Sequence, residues 1–203
     1  MRGFTLVELM VVIFIFSIIM AATFGVLSTG RQSWHTGSTQ VELQQETRRA
    51  MDRMVRELRE SGSTHISIPV GGGSITFQVP IDEDIIDTTV DDDVLDVNGN
   101  IEWGAGGNLG RSIQYLLGGL NNRQLLRRVL NGYPIGVQVG ADVILANNIR
   151  SDSPPPNALM FVGSPAGNPI VISIEVSAQK DAVPGRTMQS TLNSQVTLRN
   201  LRN

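Results

Sequence analysis

Residues 3–27 read GFTLVELMVVIFIFSIIMAATFGVL, and from Leu9 to Leu27 the run holds neither a charge nor a proline. Roughly 20 apolar residues suffice for a helix to cross a bilayer, so this stretch predicts a transmembrane helix. A cleavable secretory signal has an apolar core of about 7–15 residues followed by a small-x-small cleavage site. The run is too long for that, and Ala21 and Ala22 are adjacent instead of spaced. Arg2 and the α-amino group put the N-terminal side in the cytoplasm by the positive-inside rule.

One carboxylate, Glu8, interrupts the apolar character near the start. Ionisable groups within a span are costly, by about 2.5–3.5 kcal/mol at its centre, and call for a partner. An amino terminus created between Gly3 and Phe4 would supply one, because Phe4 and Glu8 stand at i and i+4 on a helix. Gly3-Phe4-Thr5-Leu6-Val7-Glu8 followed at once by an apolar helix resembles the class III signal of type IV prepilins and pseudopilins. The resemblance implies that a prepilin peptidase cuts after Gly3 and N-methylates Phe4, leaving Glu8 to meet a neighbouring subunit's amine. It also implies other pilin subunits, the inner membrane and an inner-membrane assembly platform as partners. The C-terminal domain would stand in the periplasm before the subunit enters a pilus or pseudopilus. An uncleaved signal anchor is the alternative.

At 203 residues the chain suits one globular domain plus an anchor. Cysteine is absent, which excludes disulfides and thiolate metal sites. The net charge of −3 argues against a general nucleic-acid binder, so no nucleic acid is expected as a partner.

Beyond Leu27 no proline occurs before Pro69, so the helix can continue past the membrane. Gly30, Gly37 and several Ser and Thr residues weaken residues 28–40 and admit a bend there. From Val41 onward Leu43, Thr47, Ala50, Met51, Met54, Val55 and Leu58 recur at three- and four-residue intervals, the pattern of a buried stripe. Glu46, Arg49, Asp52, Arg53, Arg56, Glu57 and Glu60 fall on the other face, where Asp52 with Arg56, Arg53 with Glu57 and Arg56 with Glu60 form i,i+4 pairs. Ser61-Gly62 is the expected stop, with glycine as a left-handed cap. A helix from Phe4 to Ser61 would be about 85 Å long.

After Gly62 the period changes to two. Ile66–Ile68 and Ile75–Val79 flank a Gly71–Gly73 turn, and 112–117 with 123–129 form a hairpin around the loop 118–122. Residues 141–149 and 159–162 are shorter strand candidates, and 170–176 and 190–198 are two more, joined by a polar loop holding Pro184-Gly185. Ser153-Pro154-Pro155-Pro156 is a rigid connector. The predicted fold is α+β: a long N-terminal helix, transmembrane and then amphipathic, packed on an antiparallel β domain. The divisions are a leader (1–3), the transmembrane half of the helix (4–27), its amphipathic half (28–62) and the β domain (63–203). The order of these segments is similar to minor pilins of the PilW kind and to the minor pseudopilin J of type II secretion. In major pilins a C-terminal disulfide is common, and the lack of cysteine favours a minor subunit.

Residues 82–102 hold nine acids and no base. Asp96-Val97-Asn98-Gly99 copies the middle of an EF-hand loop, but Val94 and Ala105 fall where the first and twelfth ligands belong. An acidic solvated loop with an Asn-Gly turn, and no cofactor, is the expectation; calcium held by Asp91, Asp92, Asp93, Asp96 and Asn98 is the alternative. His35 and His65 lack a serine or carboxylate at catalytic spacing, Ser164 is not in a G-x-S-x-G elbow, and Gly104–Gly107 lacks the lysine of a phosphate loop. No enzyme is expected. A DNA-uptake role would need an exposed basic patch on the β domain, where Arg123, Arg127 and Arg128 are the only local cluster; otherwise these would alternate outward on a hairpin facing water.

Overall fold

A helix of 55 residues, α1 (Leu6–Glu60), dominates the architecture and is about 82 Å long at 1.5 Å per residue. The computed structural model describes residues 5–81, 94–95, 100–150, 158–183 and 185–199. Thr5 caps α1, its Oγ1 accepting from the Glu8 N–H at 3.3 Å. The helix runs without a break through residues 28–40, where the sequence admitted a bend. The hydroxyls that could have competed with the backbone turn back onto it. Thr29 donates to the Gly25 carbonyl, Thr36 to Gln32 and Ser38 to His35, as Ser17 and Thr23 do further down.

The stop of the helix differs from expectation. Ser61 is extended (φ −74°, ψ 156°) and its N–H reaches the Leu58 carbonyl, and Gly62 has φ −94° and is not left-handed. Glycine is needed at 62 for space: a Cβ there would lie 2.5 Å from the Trp103 indole, which packs on the bare backbone.

Eleven strands are present among the described residues, in three antiparallel sheets. They are β1 (Ile66–Ser67), β2 (Ser74–Phe77), β3 (Val79–Pro80), β4 (Trp103–Ala105), β5 (Asn108–Leu109), β6 (Ser112–Gly118), β7 (Gln124–Leu130), β8 (Val143–Ala146), β9 (Leu159–Ser164), β10 (Val171–Val183) and β11 (Arg186–Thr197). One sheet has the order β1-β2-β6-β7-β8, a second β11-β10-β9, and a third β3-β4-β5. The β6–β7 hairpin pairs Leu117 with Leu125, and its turn uses left-handed Gly119, Asn121 and Asn122.

The β10–β11 hairpin is longer than the apolar alternation indicated. Pairing continues past Val176 to Asp181 opposite Thr187, where the sequence suggested a polar loop. Polar cross-strand contacts sustain it: Ser177 with Thr191 at 2.9 Å and Thr187 donating to Asp181 at 2.7 Å.

From α1, Leu43, Thr47, Ala50, Met51, Met54 and Leu58 are buried, so the predicted stripe is the packed one, with Val55 half-buried at its edge. It meets Ile172, Ile174, Val176, Ala178, Val196 and Leu198 of the second sheet region, in one core with Ile75, Phe77, Ile113, Tyr115, Leu125 and Phe161. Below this contact every residue from Thr5 to His35 is exposed.

Candidate functional site: the bare helix and its grip on the domain

Glu8 lies in the first turn of α1. Thr5 and Glu8 form the T-x-x-E spacing of a helix start, and that spacing was the signal by which the cap could have been found. A carboxylate at this end also faces the positive pole of the helix dipole. Gly3 and Phe4 lie outside the described residues, as do Asp91, Asp92, Asp93, Asp96 and Asn98 and the proline-rich connector. Among the described residues no group of three His, Cys, Asp or Glu side chains could hold a metal ion.

From Leu6 to Leu27 the side chains are apolar apart from Glu8, Ser17 and Thr23, and all are uncovered. The two hydroxyls donate to carbonyls one turn back at 2.8 Å, which removes their need for water. This is one helix long and apolar enough to cross a membrane.

The upper helix holds the domain through three carboxylates. Glu42 pairs with Lys180 at 2.8 Å, and Glu46 accepts from both the backbone N–H and the side-chain amide of Asn147. Glu57 is the third and the most enclosed. Its side chain is 17 % exposed, and it accepts from the Tyr115 hydroxyl (2.7 Å), Arg127 (2.9 Å) and Arg53 (3.0 Å). Burial works against its charge, but the hydrogen bonds from Arg127, Tyr115 and Arg53 outweigh that and hold its pKa below the ordinary carboxylate value. Burial first, and then the nearby Glu57 charge, push the Tyr115 hydroxyl well above the usual tyrosine range.

This corrects the placement of Glu57 on the solvent face. The Arg53 pair forms as spaced, yet the carboxylate also turns toward β6 and β7, where Tyr115 stands directly opposite Arg127. Only that long-range register brings the three together, so no local signal marked them.

The three arginines of the hairpin do not face water unpaired. Arg127 is 15 % exposed against Glu57, and Arg128 makes a two-pronged contact with Asp142 at 2.9 and 2.8 Å. That hydrogen bonding lowers the Asp142 pKa and raises that of Arg128. Arg123 donates to the carbonyls of Ile149 and Gln179. The cluster a DNA-uptake role would need is thus engaged within the fold, Arg127 with the helix, Arg128 with the residue before β8, and Arg123 with backbone at Ile149 and in β10.

His35 is exposed on the helix. His65 stacks on Trp103, ring centroids 3.9 Å apart, and burial lowers its pKa. Its Nδ1 meets the Thr64 hydroxyl.

Residues 1–24 match the family model described as the prokaryotic N-terminal methylation motif. No match was found among curated proteins or among solved structures. The motif, at the head of an uncovered apolar helix, supports a type IV pilin-like protein that is processed by prepilin peptidase and partnered by other pilin subunits.

Proposed function

We propose that the chain is a minor pilin or pseudopilin, a non-enzymatic structural subunit of a type IV pilus or a type II secretion pseudopilus. The observation that carries this is the division of α1. A single unbroken helix is uncovered and apolar in its lower half and packs on its own domain only from its upper half. Such a rod can wait in lipid and later exchange lipid for the rods of neighbouring subunits. In this reading Gly3 is the last leader residue, Phe4 the N-methylated terminus and Glu8 the carboxylate that meets a neighbour's amine. The similarity of segment order to PilW-type minor pilins and to pseudopilin J supports a minor position, as does the absence of cysteine.

Intact mass and N-terminal sequencing of the protein from native membranes test this. A start at N-methylated Phe4 is expected. A start at Met1 in cells with an active prepilin peptidase would leave an uncleaved anchored domain and remove the filament reading.

A further inference from the structure

Between Glu8 and Arg31 there is no charged residue, and the 22 residues of that interval span about 33 Å of helix. That length matches a hydrocarbon core of about 30 Å, with about 5–7 Å of headgroup layer beyond it on each side. Arg31 therefore falls at the border of the far leaflet. Trp34 follows it by one turn, on the neighbouring part of the helix surface.

Trp34 is 76 % exposed, on an unbroken helix that continues directly out of the apolar run. The domain does not cover it. Trp34 and Val41, seven residues apart, share a face that turns away from the sheets, since Val41 is exposed and Leu43, two residues on, is buried. Helical side chains lean toward the N-terminus of their helix, so the indole points back toward the bilayer. Its backbone is about 6 Å above Gly30, which puts the ring inside the headgroup layer. Indole favours that layer because its ring is apolar and its N–H needs a polar partner. Arg31, one turn below, can carry its guanidinium up to the phosphates.

We infer that Trp34 and Arg31 form a lipid-facing collar that seats the helix in the phospholipid headgroup layer of the leaflet far from Glu8. The inference rests on the membrane-inserted precursor of the reading above. Glu8 and the collar would then fix the depth of the rod from its two ends. The first helix residue buried against the domain, Leu43, lies about 13 Å further along the helix.

The test uses the full chain in vesicles of phosphatidylcholine and phosphatidylglycerol, with bromine on the phosphatidylcholine chains either near the glycerol or near the chain ends. Emission of the wild type minus that of Trp34→Phe isolates Trp34, because Trp103 is common to both. Shallow bromine should remove at least about half of the difference signal and deep bromine much less, with aqueous iodide quenching it weakly. In Trp34→Phe protein carrying Ser38→Trp, one turn higher, bromine quenching should vanish and iodide quenching return. Iodide quenching of Trp34 without bromine quenching would overturn the collar in favour of water. Shielding from both quenchers would overturn it in favour of another protein copy. Deep bromine quenching would place the ring in the core and equally overturn it. In all three cases the protein still floats with the vesicles; failure to float would remove the membrane-inserted precursor itself.

Discussion

The Glu57 carboxylate accepts hydrogen bonds from Tyr115, Arg127 and Arg53, so Glu57→Gln leaves Arg127 mostly buried without its counter-charge. Breaking such a pair from one side should cost roughly 2–4 kcal/mol, read as a fall in the denaturation midpoint of detergent-solubilised protein. The sign of the pH dependence follows from the lowered pKa. The contribution is complete above the unfolded value of 4.5, declines as the pH falls below it, and is gone once the pH passes the lower folded value. Glu57→Gln should flatten that part of the stability profile; an unchanged acid slope would show that Glu57 does not carry it. At Gly62 the cost is steric: Gly62→Ala drives a methyl into Trp103 and should destabilise by about 1–3 kcal/mol, with a change in the tryptophan near-ultraviolet signal.

At the scale of elements, the amphipathic half of α1 was legible because its partner is a sheet face, and a three-to-four period records that directly. Leu43, Thr47, Ala50, Met51, Met54 and Leu58 are the buried residues that the period named. The middle of the helix was less legible, because propensity scales charge Ser, Thr and Gly against a helix without knowing whether the hydroxyls will bond back one turn. Nothing lies within 4 Å of a Cβ placed on Gly30 or Gly37, so Gly30→Ala and Gly37→Ala should each stabilise this segment by up to about 1 kcal/mol. Amide hydrogen exchange over residues 28–40 should slow by roughly three- to fivefold for each change. Faster exchange would mean that the glycines serve a packing that the isolated chain does not display. The far ends of β10 and β11 escaped for the opposite reason: Ser177, Gln179 and Thr191 pair across strands as polar groups, and apolar alternation cannot register them.

For the whole molecule, the lower helix has two successive environments under the proposed function, and Glu8 is the residue on which they differ. In the precursor it sits near a membrane edge, where water and headgroups are within reach. In a filament it would be enclosed by other apolar helices, where an unpaired carboxylate costs several kcal/mol and a neighbouring Phe4 amine offsets that cost. Changing Glu8→Gln removes the charge while keeping the side-chain length and the Thr5 cap, whose hydrogen bond uses the Glu8 backbone. Membrane insertion and cleavage after Gly3 should therefore proceed, since a less polar residue only eases insertion. Incorporation should fall by at least about tenfold, because loss of a charge-paired contact worth 1.4 kcal/mol or more changes an assembly equilibrium by that factor. Quantifying the processed subunit in sheared filaments against the membrane pool measures this directly. Equal incorporation of Glu8→Gln and wild type would mean that register is set elsewhere along the rod, and the uncovered face around Trp34 and Val41 would be the next place to look.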